Sequence, residues 1–518
     1  MRYFNIAGPC NKRDHYMIEA ATRLKGVERL IDMQQYFVIH AARQTGKTTY
    51  LKDLAQRLNI DGKYYTLYCS LEALQEVGDA KEGIPEIVRK VQQALRKSAI
   101  PQSDTFAKDP DYSHYSGVLL DELNYFCKRL DKPLVIFFDE VDCLSEGTLI
   151  SFLRQLREGY INRDTFPFVH SVALTGMRNI RDYKAKIRPD SQTLGSASPF
   201  NIVAETMTLE NFTKDEIASL YRQHTDETGQ VFENEVIDLI DEQTCGQPWL
   251  VNAVVREVIV KMLNSDYTQA VTAEQVKTAI QTIILRRDTH IDSLLERLKE
   301  ERVRSVIEPM IYGEDMPDFL SDDFRYAIDL GLIKDEGHKI RPANPIYAEV
   351  IIRTLSYDVQ RKLIIEKPDY LIPRYLKAGE MDINFLLTDF QQFWRENSDI
   401  WIEKMLYKEA APHLVLQAFL QRVLNGGGHI IREMAAGTGR LDLGVVYENK
   451  TYPIEVKLWK SEQYYQRSLE QAARYADVFG GKEGWLILFD RRPDITWDEK
   501  IYRKQESVGG TVIHVFGN

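Results

Sequence analysis

The sequence predicts an α/β protein with two unlike sheets, and three stretches carry that prediction. The first is the apolar run Tyr36-Phe37-Val38-Ile39, followed by Ala41-Ala42-Arg43-Gln44-Thr45-Gly46-Lys47-Thr48-Thr49 and then by Leu51, Leu54, Ala55 and Leu58 at helical spacing. That order reads as a buried strand, a tight loop and an amphipathic helix. The second is Pro133-Leu134-Val135-Ile136-Phe137-Phe138-Asp139-Glu140, whose unbroken apolar run suits a parallel strand covered on both faces. The third lies in the tail, where two β-rich runs, Arg440–Tyr447 and Thr451–Leu458, flank a polar turn with helical patterns on either side.

Composition bounds the rest. A chain of 518 residues is too long for one core, and roughly three or four domains are expected. With 44% hydrophobic and 28% charged residues it has the make-up of an ordinary globular protein. The five cysteines are scattered, without zinc-site spacing or disulfide density, which predicts reduced thiols and a cytoplasmic setting. The stretch Met1-Arg2-Tyr3-Phe4-Asn5 lacks the apolar core of a signal peptide, and no apolar run reaches the roughly 18 residues of a membrane helix, so no membrane partner is expected. The net charge of −11 argues against a protein that simply coats DNA, although residues 401–518 are balanced, with 16 Lys and Arg against 15 Asp and Glu.

The Gly46-Lys47-Thr48 loop between strand and helix has the form of a phosphate-binding P-loop. Backbone N–H groups over Arg43, Gln44, Thr45 and Gly46 and the helix N-terminus cradle phosphates, Lys47 adds a point charge, and Thr48, followed by Thr49, can hold magnesium. Ala41 stands where the pattern has its first glycine. Next in order come a β-rich run over Lys63–Leu71 and amphipathic segments around Ile84–Leu95 and Leu119–Leu130. The run ending in Asp139-Glu140 looks like a Walker B strand, with Asp139 holding magnesium and Glu140 polarising the attacking water. Phe168–Gly176 is a further strand, and Thr175 at its end is the candidate γ-phosphate sensor. The basic loop Arg178–Arg188 is a candidate for nucleic-acid contact or an arginine finger, and Ser198–Ile202 a last strand. Thr213 and Glu216 are spaced as a capping box.

Taken together, the P-loop, the Phe-Phe-Asp-Glu strand, the Leu-Glu-Asn-Phe-Thr-Lys-Asp-Glu-Ile segment and Thr244-Cys245-Gly246-Gln247-Pro248-Trp249-Leu250 resemble the AAA-like ATPases of bacteria over roughly residues 1–260. The resemblance implies a doubly wound sheet over 1–205, a helical lid over 206–262 in which Gly246 and Pro248 lie near the nucleotide, and homo-oligomers. A neighbour's arginine often completes such sites, and Arg154, Arg157, Arg163 and Arg178 are the candidates. Residues 263–352, ending in helix, strand, Gly turn and strand over 326–341, are expected to be winged-helix-like, and 353–400 a helical connector.

In the tail, over 401–518, His413–Val423 reads as a helix, Ile430–Met434 as a strand and Ala436–Gly439 as a turn. If the following hairpin turns at Asn449-Lys450, residue 448 lies opposite 451 and 442 opposite 457. Asp442, Glu455 and Lys457 then share one face while Ile454, Val456 and Leu458 occupy the other. Two carboxylates and a lysine on one strand face suit magnesium-assisted phosphodiester hydrolysis, with Asp442 and Glu455 as metal ligands. The pattern resembles the PD-(D/E)XK nuclease superfamily and so implies a restriction-endonuclease-like α/β domain. Gln471 and Tyr475 match the Gln-x-x-x-Tyr element of its RecB-like branch, and Gly484–Phe489 supplies a further core strand. Leu441 replaces the proline, and Glu409, Gln417 or Glu433 are candidates for an added ligand.

The leading expectation is an ATPase, with ATP and Mg²⁺, coupled to a metal-dependent nuclease acting on DNA more than RNA, with defence against foreign DNA as one setting. The alternative is a nucleotide-dependent switch or scaffold whose tail binds nucleic acid or a partner without cutting. A processive translocase ranks last, because no helicase motif series accompanies the two Walker elements.

Overall fold

The computed structural model describes residues 1–19, 23–75, 77–144, 146–176, 203–286, 289–311, 321–335, 340–355, 375–377, 380–404, 411–423, 428–436, 439–448, 450–492 and 494–518. The chain divides into two compact units. One holds Met1–His290, Arg325–Asp335 and Pro342–Ile346, and the other Ile291–Phe324, Glu336–Arg341 and Tyr347–Asn518.

In the first unit, β1 (Tyr36–His40), β2 (Tyr65–Ser70), β3 (Leu134–Asp139), β4 (Ser171–Gly176) and β5 (Val203–Thr208) form one sheet in the order β2-β3-β4-β1-β5. Every pairing is parallel. Alternation along these strands feeds two separate cores. Tyr36 and Val38, Leu134, Ile136 and Phe138, and Val172 and Leu174 pack with helices Ala80–Arg96, Val118–Cys127 and Glu146–Asn162. Phe37 and Ile39, Val135 and Phe137, and Ala173 pack with helices Val27–Asp32 and Lys47–Asp61. The sheet is therefore covered on both faces, which is why its central strands read as unbroken apolar runs. Strand β5 begins at Val203; the basic loop, Arg178 and Ser198–Ile202 lie outside the described residues.

Helices Lys214–Thr228, Asn234–Thr244 and Pro248–Arg256 follow. The expected capping box is present: the Glu216 N–H donates to Thr213 Oγ1 at 3.2 Å and the Thr213 N–H to Glu216 Oε2 at 2.8 Å. This helical layer runs on past 262, since Val276, Ala279, Ile280, Ile283 and Ile284 of helix Ala273–Arg286 are buried and Arg286 pairs with Glu257 at 3.0 Å. Helices Thr289–Arg297, Glu301–Ile311 and Asp322–Asp329 lead to the short strands β6 (Ile333–Asp335) and β7 (Ile340–Pro342).

In the second unit, β8 (Leu376–Lys377) and β9 (Glu380–Met381) make a small ribbon before a six-stranded mixed sheet. Its strands are β10 (Gly428–Ala436), β11 (Gly439–Tyr447), β12 (Lys450–Leu458), β13 (Glu483–Phe489), β14 (Tyr502–Val508) and β15 (Thr511–Gly517), in the order β10-β11-β12-β13-β15-β14. The first three are antiparallel, while β13 runs parallel to β12 and to β15. One face (Leu443, Val445, Ile454, Val456, Ile487, Phe489) packs on helices Ile383–Lys404 and Ala411–Val423. The other (Leu486, Leu488, Ile513, Val515) packs on helix Glu462–Val478. The segment expected to connect two domains thus contributes helix Ile383–Lys404 to this core.

The hairpin register differs from expectation. Tyr447 stands opposite Lys450 and Leu443 opposite Ile454, so the loop is Glu448-Asn449 rather than Asn449-Lys450. Glu448 takes φ 51°, the left-handed conformation that a tight two-residue hairpin loop uses. The pairing moves by two residues, an even step, so Glu455 and Lys457 keep their face and the expected pairing of 442 with 457 is lost.

Candidate functional site

The P-loop connects β1 to helix Lys47–Asp61, and its path depends on two left-handed residues. Gln44 has φ 56° and Gly46, capping the helix, φ 94°. Lys47 is 7% exposed and its ammonium donates to the Ala41 carbonyl at 3.0 Å, while Thr45 Oγ1 donates to the Ala42 carbonyl at 2.8 Å. Arg43 and Gln44 are exposed at the loop's outer bend.

The site converges on Asp139, at the carboxyl end of β3 and 1% exposed. Its Oδ2 accepts from Thr48 Oγ1 at 2.7 Å and from the Tyr68 phenol at 2.8 Å. Its Oδ1 accepts from Thr175 Oγ1 and from the Glu140 N–H at 3.1 Å. A buried carboxyl group thereby gains four donors from the P-loop, β2, β4 and its own turn. Glu140 takes φ 56°, an uncommon conformation for a side chain of its size, and one of a kind that gathers at functional sites. Burial pushes its carboxyl up to about 7, with the charges of Asp142, Asp139 and Glu72 adding to the rise and Lys47 opposing it. Thr48 and Asp139 place two hard oxygen donors side by side, a set that fits magnesium.

The Gly246-Gln247-Pro248 turn closes on the same loop. Gln247 Nε2 lies 3.4 Å from the Arg43 carbonyl and 3.5 Å from that of Gln44, while its Oε1 accepts the Leu250 N–H at 2.7 Å. Pro248 occupies the first turn of its helix and is buried. Gly246 has φ 68°, and a Cβ there would meet the Phe212 carbonyl oxygen at 1.8 Å, so only glycine fits. Thr49 holds the N-terminal segment, its Oγ1 accepting the Cys10 N–H at 2.9 Å, and Trp249 Nε1 donates to the Ile6 carbonyl at 2.9 Å. On the other side, His40 lies 3.4 Å from Asp329, and a Cβ on Gly331 would reach within 2.6 Å of that of Ala42.

Sequence reasoning missed three groups here. Tyr68 sat within a recognised strand with nothing to mark its hydroxyl, and Gln247 lay unremarked inside a quoted turn. Arg23 carried no signal at all: it donates to the Thr45 carbonyl at 3.3 Å and to the Glu210 carbonyl, and stacks 4.7 Å above the Phe212 ring.

A profile for the AAA-like domain matches residues 14–351, more than half of the sequence. The chain belongs to the AAA-like domain family. No curated protein matches it. Among solved structures this AAA-like protein is similar to the Walker-type ATPase of Pyrococcus abyssi, at 16% identity over 67% of this chain and 99% of that one, with a TM-score of 0.45. It is also similar to the Aeropyrum pernix Orc1 protein in complex with DNA (13% identity, 65% and 93% covered, TM-score 0.34). The Holliday junction branch-migration motor RuvB of Thermotoga maritima is a third (13%, 64% and 92%, 0.32).

Outside the family match, the tail places Glu455 and Lys457 on the face of β12 that meets helix Glu462–Val478. Their rungs on β13 are Leu486 and Leu488, both in the core under that helix. Glu455 is fully buried and its Oε1 lies 2.6 Å from the Lys457 ammonium. Gln471 Nε2 donates to the Tyr475 hydroxyl at 3.3 Å on the covering helix. Asp442 is in β11, one residue before the last rung, Leu443 with Ile454; its side chain and that of Glu433 lie outside the described residues, as does Glu409. Gln417 is buried in helix Ala411–Val423. Among the described residues no three His, Cys, Asp or Glu side chains converge as a metal site, and no helix is long and apolar enough to cross a membrane.

Proposed function

We propose that this AAA-like protein binds and hydrolyses ATP at residues 43–49 with Asp139, Glu140, Thr175 and Pro248, and that its tail is a magnesium-dependent nuclease acting on DNA more than RNA. The observation that carries the first part is the Thr48–Asp139 hydrogen bond, which joins the loop that cradles phosphates to the strand whose next residue is Glu140. Lys47 and the N–H groups at the start of its helix balance the phosphate charge. Glu140, with its carboxyl near neutrality, can take a proton from the attacking water. Thr175 braces Asp139 from β4. Magnesium, held by Thr48 and Asp139, would neutralise charge developing on the phosphates.

For the tail, support comes from the succession of a helix, three antiparallel strands, a helix and a parallel strand, with Glu455 and Lys457 on the central strand. Asp442 and Glu455 would hold the ion, Lys457 would orient or deprotonate water, and Gln471 and Tyr475 would steady the ligands or the scissile strand. Self-association completes the proposal. Arg154 is exposed and suits a role at a neighbour's site, while Arg163 is tied to the Gln34 carbonyl at 2.8 Å. Full burial of Glu455 in its ion pair favours the second reading, a switch whose tail binds without cutting.

The deciding experiment is a cleavage panel of plasmid, single-stranded and duplex DNA with Mg²⁺ or Mn²⁺, with and without ATP. Wild type is expected to cut, and Asp442→Ala to lose most of the rate. Lys457→Ala should lose on the order of a hundredfold, and Gln471→Ala about tenfold. A wild type that cuts nothing under any nucleotide condition, or an Asp442→Ala variant that cuts equally well, would establish the second reading.

A further inference from the structure

Just past the end of β12 stands a third functional-looking side chain, beyond the Glu455 and Lys457 of that strand. Glu455, Lys457 and Trp459 follow one another at every second residue, Trp459 coming directly after Leu458, the last residue of β12, so the alternation of the strand carries on to it. The position of Trp459 against the core beneath helix Glu462–Val478 agrees, as does its ring lying 6.0 Å from that of Tyr465. The Trp459 backbone N–H donates to the Phe489 carbonyl at 2.8 Å, which keeps the residue tied to the end of the parallel neighbour β13. Trp459 is only half-buried. Across its ring lies the Arg492 guanidinium, 5.0 Å from the centroid. That guanidinium is held from behind by both carboxylate oxygens of Asp490, at 2.6 and 3.0–3.1 Å, yet keeps 45% of its side chain exposed.

We infer that Trp459 and Arg492 form a stacking and phosphate-gripping step for single-stranded nucleic acid, roughly 7 Å along the strand from Lys457. The inference rests on the nucleic-acid reading of the tail and adds to it a preferred form of substrate. An indole ring stacks on the face of any unpaired base, whereas a base within a duplex keeps its faces covered by neighbours. A planar guanidinium with its orientation already fixed loses little freedom on meeting a phosphate. Lys460, next in the chain and exposed, adds charge of the same sign. An aromatic face with cations beside it is the combination that binds single strands without reading sequence.

The test is fluorescence anisotropy of the full-length chain with labelled single-stranded DNA, single-stranded RNA and duplex DNA of equal length, in EDTA so that nothing is cut. Wild type is expected to bind the single strands more tightly than the duplex. Trp459→Ala should weaken single-strand binding on the order of tenfold, with Trp459→Phe recovering most of it. Arg492→Gln should lower the slope of log affinity against log salt by about 0.7. ATP hydrolysis in each variant reports that the first unit is intact. Should Trp459→Ala fail to fold, the Arg492→Gln slope decides alone. Preference for the duplex, or single-strand binding unaffected by both variants, would overturn the inference. Retained binding with this pattern but no cleavage in the metal panel would sink the nuclease proposal and leave this one standing.

Discussion

At the scale of residues, two carboxyls that follow one another in the chain behave in opposite ways. Asp139 is buried and accepts from four donors; removing one should leave part of its hydrogen-bonding capacity unmet. Thr175→Val is expected to lower stability by about 1–3 kcal/mol in denaturant titration. Glu140 behaves in the opposite sense. Its carboxyl sits at about 7 in the folded chain against an ordinary 4.5, so between those values the folded state holds a proton that the unfolded state has released. Stability from this group is therefore complete below about 4.5 and falls as pH rises through 7. Glu140→Gln, which cannot ionise, should match wild type in melting temperature at pH 5 and exceed it at pH 8. A gap between the two that does not change with pH would contradict the assigned environment. Gly246→Ala combines a left-handed backbone with a collision against the Phe212 carbonyl, so a loss of at least about 1–3 kcal/mol is expected by thermal melting, with weakened ATP binding.

Whole elements divide into those whose burial the sequence shows and those whose partners it does not. The strands ending in His40 and Asp139 were legible because a strand covered on both faces must be apolar throughout. The capping box was legible because Thr213 and Glu216 act locally. Hairpin pairing was not, since the choice of loop turned on the left-handed conformation of Glu448, which residue type alone does not announce. Helix Ile383–Lys404 was visible as a helix, but nothing in its own pattern says what it packs against. In the structure Phe390 is 1% exposed among Trp394, Phe419 and Phe489, and Trp485 Nε1 donates to Asn384 Oδ1 at 2.8 Å. Phe390→Ala should therefore cost the second unit about 3–5 kcal/mol. A fragment starting at residue 375 should be stable to limited proteolysis, and one starting at 401 should be degraded.

Across the whole molecule, the chemistry proposed for the AAA-like unit depends on groups that four sequence-distant elements bring to one carboxylate: Thr48, Tyr68, Thr175 and Asp139 itself. Three of the four were named from the sequence because each ends or follows a recognisable strand; Tyr68 and the buried Arg23 came from tertiary packing alone. The tail is a separate α/β fold with its own charged pair, and the two units' chemistries can be tested independently. The most direct test of the central claim is the rate of ATP hydrolysis together with equilibrium ATP binding, measured on wild type, Lys47→Ala and Glu140→Gln with Mg²⁺ present. Lys47→Ala is expected to lose binding and turnover together, while Glu140→Gln is expected to bind ATP as wild type does and turn it over at least about a hundredfold more slowly. Hydrolysis at the wild-type rate in both variants would contradict that claim.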